Sequence, residues 1–162
     1  MTNMEKKGYQ PVVMRIYNKE RQLVLEDEVL CAYDTQTNKI QAMGREARKF
    51  TEDNQIAVVN PLKWGVVADY TVFQKVMKLQ VQKVMKGAIR KKRLVFCVPA
   101  KLSQVESTAF KDAFLDSTMF REVYLMEKSY EEMLQEPLPE EIKEPGLYIE
   151  LVSDYYASEY FN

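Results

Sequence analysis

Asn60-Pro61-Leu62-Lys63-Trp64-Gly65-Val66-Val67-Ala68-Asp69-Tyr70 is the stretch that decides the fold. It joins two kinds of pattern. Before it, residues 56–59 make a short apolar run of the strand type, followed by Pro61. After it, Tyr70, Phe73, Met77, Val81, Val84 and Ala88 recur at three- and four-residue spacing. That spacing predicts a helix over residues 69–88 with these side chains on one face. An acid at Asp69 suits the positive end of the helix dipole.

Beyond the helix, Leu94-Val95-Phe96-Cys97-Val98 is a near-continuous apolar run, as expected of a strand covered on both faces. Pro99 stops it. Ser103 stands three residues before Glu106, the spacing of a capping box, and opens a helix to about residue 115. This helix is expected to bury Val105, Ala109, Phe110 and Phe114. Residues 122–126 read as another strand and 129–134 as a short helix. Pro137, Pro139 and Pro145 break an acidic stretch, and residues 147–151 and 155–160 read as a last strand pair.

Toward the N-terminus, residues 12–17 and 23–25 read as strands turned around Asn18-Lys19-Glu20-Arg21. Residues 28–33 and 39–43 read as a second hairpin across the turn formers 34–38. Gly44 ends that strand, and residues 45–50 read as a short helix. Helix, buried strand, helix and strand in succession imply βαβ packing and the α/β class.

Composition narrows the function. A chain of 162 residues makes one domain, or one domain with a small inserted lobe, and can bury a core without staples. A formal net charge of −1 does not suggest a nucleic-acid binder. The charge is uneven: Lys75, Lys78, Lys83, Lys86, Arg90, Lys91, Lys92 and Arg93 follow one another with no acid between. Six glutamates crowd residues 131–144. The absence of histidine removes the commonest general base and metal ligand. Cys31 and Cys97 each lie in an apolar run and read as buried free thiols; two thiols without histidine do not make a zinc site. Residues 1–10 are polar, and no apolar run approaches the roughly 20 residues of a membrane span. A cytoplasmic protein is expected.

The opening stretch, with Val98-Pro99 and the later Arg121-Glu122-Val123-Tyr124-Leu125-Met126-Glu127-Lys128, resembles the bacterial actin-like, rod-shape-determining MreB family in order and rough spacing. The resemblance spans residues 23–133. It implies an actin-like (ribonuclease-H-like) mixed sheet flanked by helices. Residues 1–24 and 61–162 would be the core lobe, and residues 25–60 a small inserted α+β lobe. Members of that family are about twice this length and close two large domains around a nucleotide; this chain is similar to the first domain.

Three departures concern the nucleotide. The family's first phosphate turn, Asp-Leu-Gly-Thr, falls near Gly8-Tyr9-Gln10-Pro11, where the Asp is gone and Pro11 supplies no N–H. Its second, Asp-x-Gly-Gly-Gly-Thr, corresponds to Glu150-Leu151-Val152-Ser153-Asp154-Tyr155, which keeps an acid but no glycine. Its Glu-Glu-Pro reads Glu127-Lys128-Ser129, an acid replaced by a cation. Together these imply that ATP hydrolysis is lost, with no catalytic, cofactor or metal residues assigned. Asp69 and Glu127 as a catalytic carboxylate pair are less favoured than a helix-start acid and a strand-end acid.

Candidate contact residues remain. Trp64, standing where the family commonly has an acid, and Tyr155, Tyr156, Tyr160 and Phe161 of the aromatic tail are partner-surface candidates, with packing as the alternative. Ile89, Arg90, Lys91, Lys92 and Arg93 read either as a solvated turn or as a contact with anionic membrane at the inner face of the cell. Nucleic acid fits them poorly, because no aromatics interleave the charges. The leading expectation is a non-catalytic relative of MreB that binds actin-like filaments or the cell-shape machinery and caps or tunes them. The alternatives are a nucleotide-binding half completed by a partner chain, and a self-associating structural protein or homodimer.

Overall fold

Alternation in the first strand sets the sheet. Val12, Met14 and Ile16 point to one face and are buried, while Arg15 and Tyr17 point to the other. The computed structural model describes residues 12–85, 92–116, 120–142 and 144–153. In chain order the strands are β1 (Val13–Asn18), β2 (Leu23–Glu28), β3 (Cys31–Asp34), β4 (Ile40–Met43), β5 (Ile56–Val59), β6 (Leu62–Lys63), β7 (Val66–Val67), β8 (Lys92–Cys97), β9 (Phe120–Met126) and β10 (Leu147–Val152). The α-helices are α1 (Tyr70–Met85), α2 (Gln104–Leu115) and α3 (Tyr130–Met133). Gly44–Phe50 is a 3-10 helix.

The main sheet runs β2-β1-β10-β8-β9. β8 is parallel to both β9 and β10, and β10 is antiparallel to β1. The last strand of the described chain therefore lies in the middle of the sheet. This corrects the expectation that residues 147–151 pair with residues 155–160, because both edges of β10 are already taken by β1 and β8. Residues 155–160 themselves lie outside the described part. The first hairpin is as expected, with Asn18 Oδ1 accepting from the N–H groups of Glu20 and Gln22. β2 runs three residues past Leu25, and Asp27 at its end accepts from the Arg45 N–H at 2.8 Å, tying the 3-10 helix to the main sheet. A second sheet, β4-β3-β5, packs with Leu30 against that 3-10 helix, burying Ala32 and Ala42 against the helix's Ala47.

The two faces of the main sheet are covered differently. α1 and α2 cover one, where Phe73, Phe96, Phe110 and Phe114 form an aromatic knot with Phe96–Phe114 centroids 4.9 Å apart. Each such ring contributes roughly 1.5–3 kcal/mol by leaving water. α3 and the segment up to Ile142 cover the other, packing Tyr130, Met133 and Ile142 on Val95, Cys97 and Tyr148. Leu94, Val95, Phe96, Cys97 and Val98 are all fully buried, as the unbroken apolar run predicts for a strand with neighbours on both faces.

α1 starts at Asp69, whose carboxylate accepts from the Val72 N–H. Its buried face carries Phe73, Val76, Met77, Val81 and Met85, together with Gln80. Tyr70, expected on that face, sits at its margin and donates its hydroxyl to Asp116 at the end of α2. α2 begins with the predicted box: Ser103 Oγ accepts from the Glu106 N–H, and Glu106 accepts from the Ser103 N–H. Val105 is 79% exposed, against expectation. It lies five residues before Phe110, about 140° round the helix from the apolar stripe.

Candidate functional site

In α/β sheets ligands bind beyond the carboxyl ends of parallel strands. Here those ends are Val98-Pro99 after β8, Glu127-Lys128 after β9 and the end of β10. Glu150, the acid set by resemblance against the family's second phosphate loop, sits on β10 and is 5% exposed. Its carboxylate accepts from the Tyr17 hydroxyl at 2.7 Å, from the Tyr130 N–H at 3.2 Å and, at 3.4 Å, from Arg15. The Tyr17 ring stacks on Tyr130 with centroids 3.8 Å apart. Burial, and then the bond to Glu150, raise the Tyr17 hydroxyl pKa, and burial pushes Tyr130 up to about 12. Both hydroxyls stay protonated, so the Tyr17 O–H remains a donor to the acid at neutral pH.

The neighbouring acids are engaged as well. Glu127 Oε2 accepts from the Leu102 N–H at 2.8 Å. Lys128, the cation in place of an acid, pairs with Glu136 at 2.8 Å. Ser129 and Glu132 form the capping box of α3. Asp69 and Glu127 have separate structural partners, and nothing in their contacts couples them. Among the described residues no three His, Cys, Asp or Glu side chains converge on a point where a metal ion would fit. The buried thiols also fit this picture: burial pushes Cys97 up to about 12 and raises Cys31, so neither is a nucleophile at neutral pH.

Trp64 is placed quite differently. β6 and β7 pair as Leu62↔Val67 and Lys63↔Val66, leaving Trp64-Gly65 as a two-residue turn. Both turn residues have positive φ, 55° and 81°. That is the geometry which favours Asn-Gly or Asp-Gly. A bulky residue at the first position is strained, and the Trp64 side chain is 64% exposed.

The remaining candidates divide. Lys92 and Arg93 open β8, at the end of the strands opposite Glu150. Ile89, Arg90, Lys91, Tyr155, Tyr156, Tyr160, Phe161 and the turn at residues 8–11 lie outside the described residues. Tyr148 is buried against Tyr130 and belongs to the core. The partners of Glu150 escaped the sequence reading. Arg15 and Tyr17 alternate with the apolar face of β1, but only the register of β1 on β10 brings them to Glu150.

A mixed sheet flanked by helices on both faces, with a small second sheet at one side, is the arrangement shared with actin-like proteins. The crystal structure of MreB5 of Spiroplasma citri bound to ADP superposes with a TM-score of 0.61 and 26% identity, covering 73% of this chain and 35% of that one. The MamK double helical filament superposes with a TM-score of 0.57 at 14% identity, a likeness of fold alone. Residues 11–135 match the MreB/Mbl protein family, and the chain belongs to that family. It is 33% identical over 116 residues to the cell shape-determining protein Mbl of Bacillus subtilis (strain 168), covering 70% of this chain and 34% of that protein. It is 30% identical over 132 residues to the cell shape-determining protein MreB of Haemophilus influenzae, covering 76% and 37%. The chain thus spans about a third of the length of these relatives.

Proposed function

We propose that this chain acts as a non-catalytic MreB-family protein that binds an actin-like filament of its own family and caps or tunes its growth. The observation that carries the reading is the Trp64 turn. A tryptophan held at positive φ, where Asn, Asp or Gly would be relaxed, costs backbone energy, and this one remains 64% exposed. Exposed aromatics of this kind anchor protein interfaces. The engagement of Glu150, Glu127 and Lys128 by main-chain and side-chain partners supports the non-catalytic half, since each would have to leave a formed contact to meet a nucleotide.

The test is co-sedimentation with a full-length MreB-type filament, with and without ATP. The expected result is saturable co-pelleting, or a drop in polymer mass at low molar ratio, that does not depend on ATP turnover by this chain. Absence of both would sink the reading. A second reading, self-association, draws on β2, a sheet edge whose Leu23 and Val24 are 51% and 43% exposed. Sedimentation equilibrium of the chain alone decides it: a concentration-dependent dimer favours self-association, and a monomer at all concentrations removes it.

A further inference from the structure

Among the described residues, the end of the sheet opposite Glu150 is cationic. Where β8, β9 and β10 begin and the β1–β2 turn reaches over them, there is a cleft of about 620 Å³. Lys19, Arg21, Lys92, Arg93 and Arg121 line it, against Glu20 and Glu144. One adjacent carboxylate, Glu122, serves both Arg93 at 3.4 Å and Arg121 at 4.0 Å. Five cations against three carboxylates leave an excess of positive charge in a concave site, where focusing strengthens the field.

Three of the cations, Lys92, Arg93 and Arg21, are placed by the fold, while Lys19 and Arg121 are more exposed at the rim. Lys92 and Arg93 sit on a central strand. Gly146 makes room for the Lys92 stem, because a Cβ there would come within 2.5 Å of Lys92 Cδ. The Gly146 N–H donates to the Arg93 carbonyl at 2.8 Å. Arg21 is fixed at φ 65°, a conformation that costs an ordinary side chain energy, and its guanidinium lies 5.9 Å from the ring centroid of Tyr148. Tyr148 is buried and its hydroxyl accepts from Arg21 Nε at 3.5 Å, so the cleft has no exposed aromatic face. That argues against stacking of single-stranded nucleic acid. Three guanidinium forks and two ammonium groups around a small concavity suit phosphate oxygens, which arginine meets in bidentate fashion. The volume exceeds that of one phosphate and falls within the range of small-molecule sites.

We propose that this cleft binds a multiply charged phosphate ester, free in solution or as the head group of a lipid. The proposal is independent of filament binding. Two probes test it on the full chain: inorganic pyrophosphate by titration calorimetry, and phosphatidylcholine vesicles with and without phosphatidic acid by flotation. The variants are Lys19→Gln with Arg121→Gln, whose side chains are mostly exposed and outside the core, and Lys111→Gln on α2 as a control. Pyrophosphate binding that weakens at least about tenfold in the double variant but not in the control supports the site. Recruitment to phosphatidic acid vesicles that the double variant loses and pyrophosphate competes away supports the lipid source. Pyrophosphate binding without recruitment supports the free ligand. No binding to either probe overturns the proposal. So does binding that the double variant and the control keep equally, with thermal midpoints unchanged.

Discussion

The two ends of the main sheet are opposites. At the carboxyl end, Glu150 is enclosed by Tyr17, Arg15 and the Tyr130 N–H, Glu127 holds a main-chain N–H, and Lys128 pairs with Glu136. At the amino end, among the described residues, the cations outnumber their carboxylates around a cleft. Polar groups at the first end hold the fold together, whereas those at the second carry charge the fold does not consume. Of these three at the carboxyl end, only Glu150 is built into the core; Glu127 is exposed, and Lys128 pairs with an exposed Glu136.

The largest expected effect tests this contrast directly. Glu150→Ala strands the Tyr17 hydroxyl and the Tyr130 N–H in a buried site, and should cost about 2–3 kcal/mol in urea unfolding. The figure sits below that for a fully buried ion pair because Arg15 is 38% exposed and keeps Glu26 as a second partner. Glu150→Gln retains an acceptor and should cost less. Arg121→Gln, at the amino end, should stay within about 0.5 kcal/mol. Equal costs at the two ends would abolish the contrast.

A smaller effect follows from the capping box of α3, which braces the covered face beside Glu150. Ser129→Ala leaves the Glu132 N–H without its partner and should cost about 1 kcal/mol. Hydrogen exchange should show the loss first at Met133 and Leu134, whose N–H groups close the turn onto Ser129 and Tyr130. Unchanged exchange there would mean that the packing of Tyr130 alone holds α3.

Alkaline pH separates the ends by titration. Cys97 ionises near 9 when unfolded, and burial raises it to about 12 in the fold. Tyr130 moves from 10 to about 12 for the same reason. Raised folded values mean that the stabilisation is complete below pH 9 and is lost as pH rises toward 12. Unfolding free energy should therefore fall across that window. Cys97→Ala should start less stable at neutral pH and show a shallower fall. A wild-type profile flat to pH 11 would contradict the burial of these groups. In the folded state at neutral pH, a disulfide reagent should modify neither cysteine.

What the sequence displays is local, and what it conceals is pairing. Pro99, the Ser103–Glu106 box and the unbroken run 94–98 are each decided within a few residues, and each is found in place. The position of β10 is not decided locally. An apolar alternating segment says that it is a strand, but only closure of the sheet against β1, more than a hundred residues earlier, says that it is central. The Glu150 site needs that same register, so its partners were invisible even though the acid itself stood out. The cleft shows the same limit: Lys92 and Arg93 were marked by their neighbours in sequence, while Arg21 and Arg121 come from separate turns and strand ends. Val105 is exposed for a different reason: its angular position on the helix, not its apolar character, decides the face it takes.

Trp64→Asn has a small expected effect on stability, opposite in sign to the others, and the sharpest meaning. Asn-Gly is the relaxed form of this turn, so the substitution should stabilise the chain by about 0.5–1 kcal/mol, read as a higher urea midpoint with an unchanged slope. If the exposed ring anchors a partner, the same variant should lose filament co-sedimentation while its fold improves. A stability gain with binding intact would leave the strained tryptophan unexplained and move the contact elsewhere. A stability loss would show that the ring packs on the body of the protein and that its strain is repaid within the fold. Only the combination of better folding and lost binding separates a residue retained for recognition from one retained for structure.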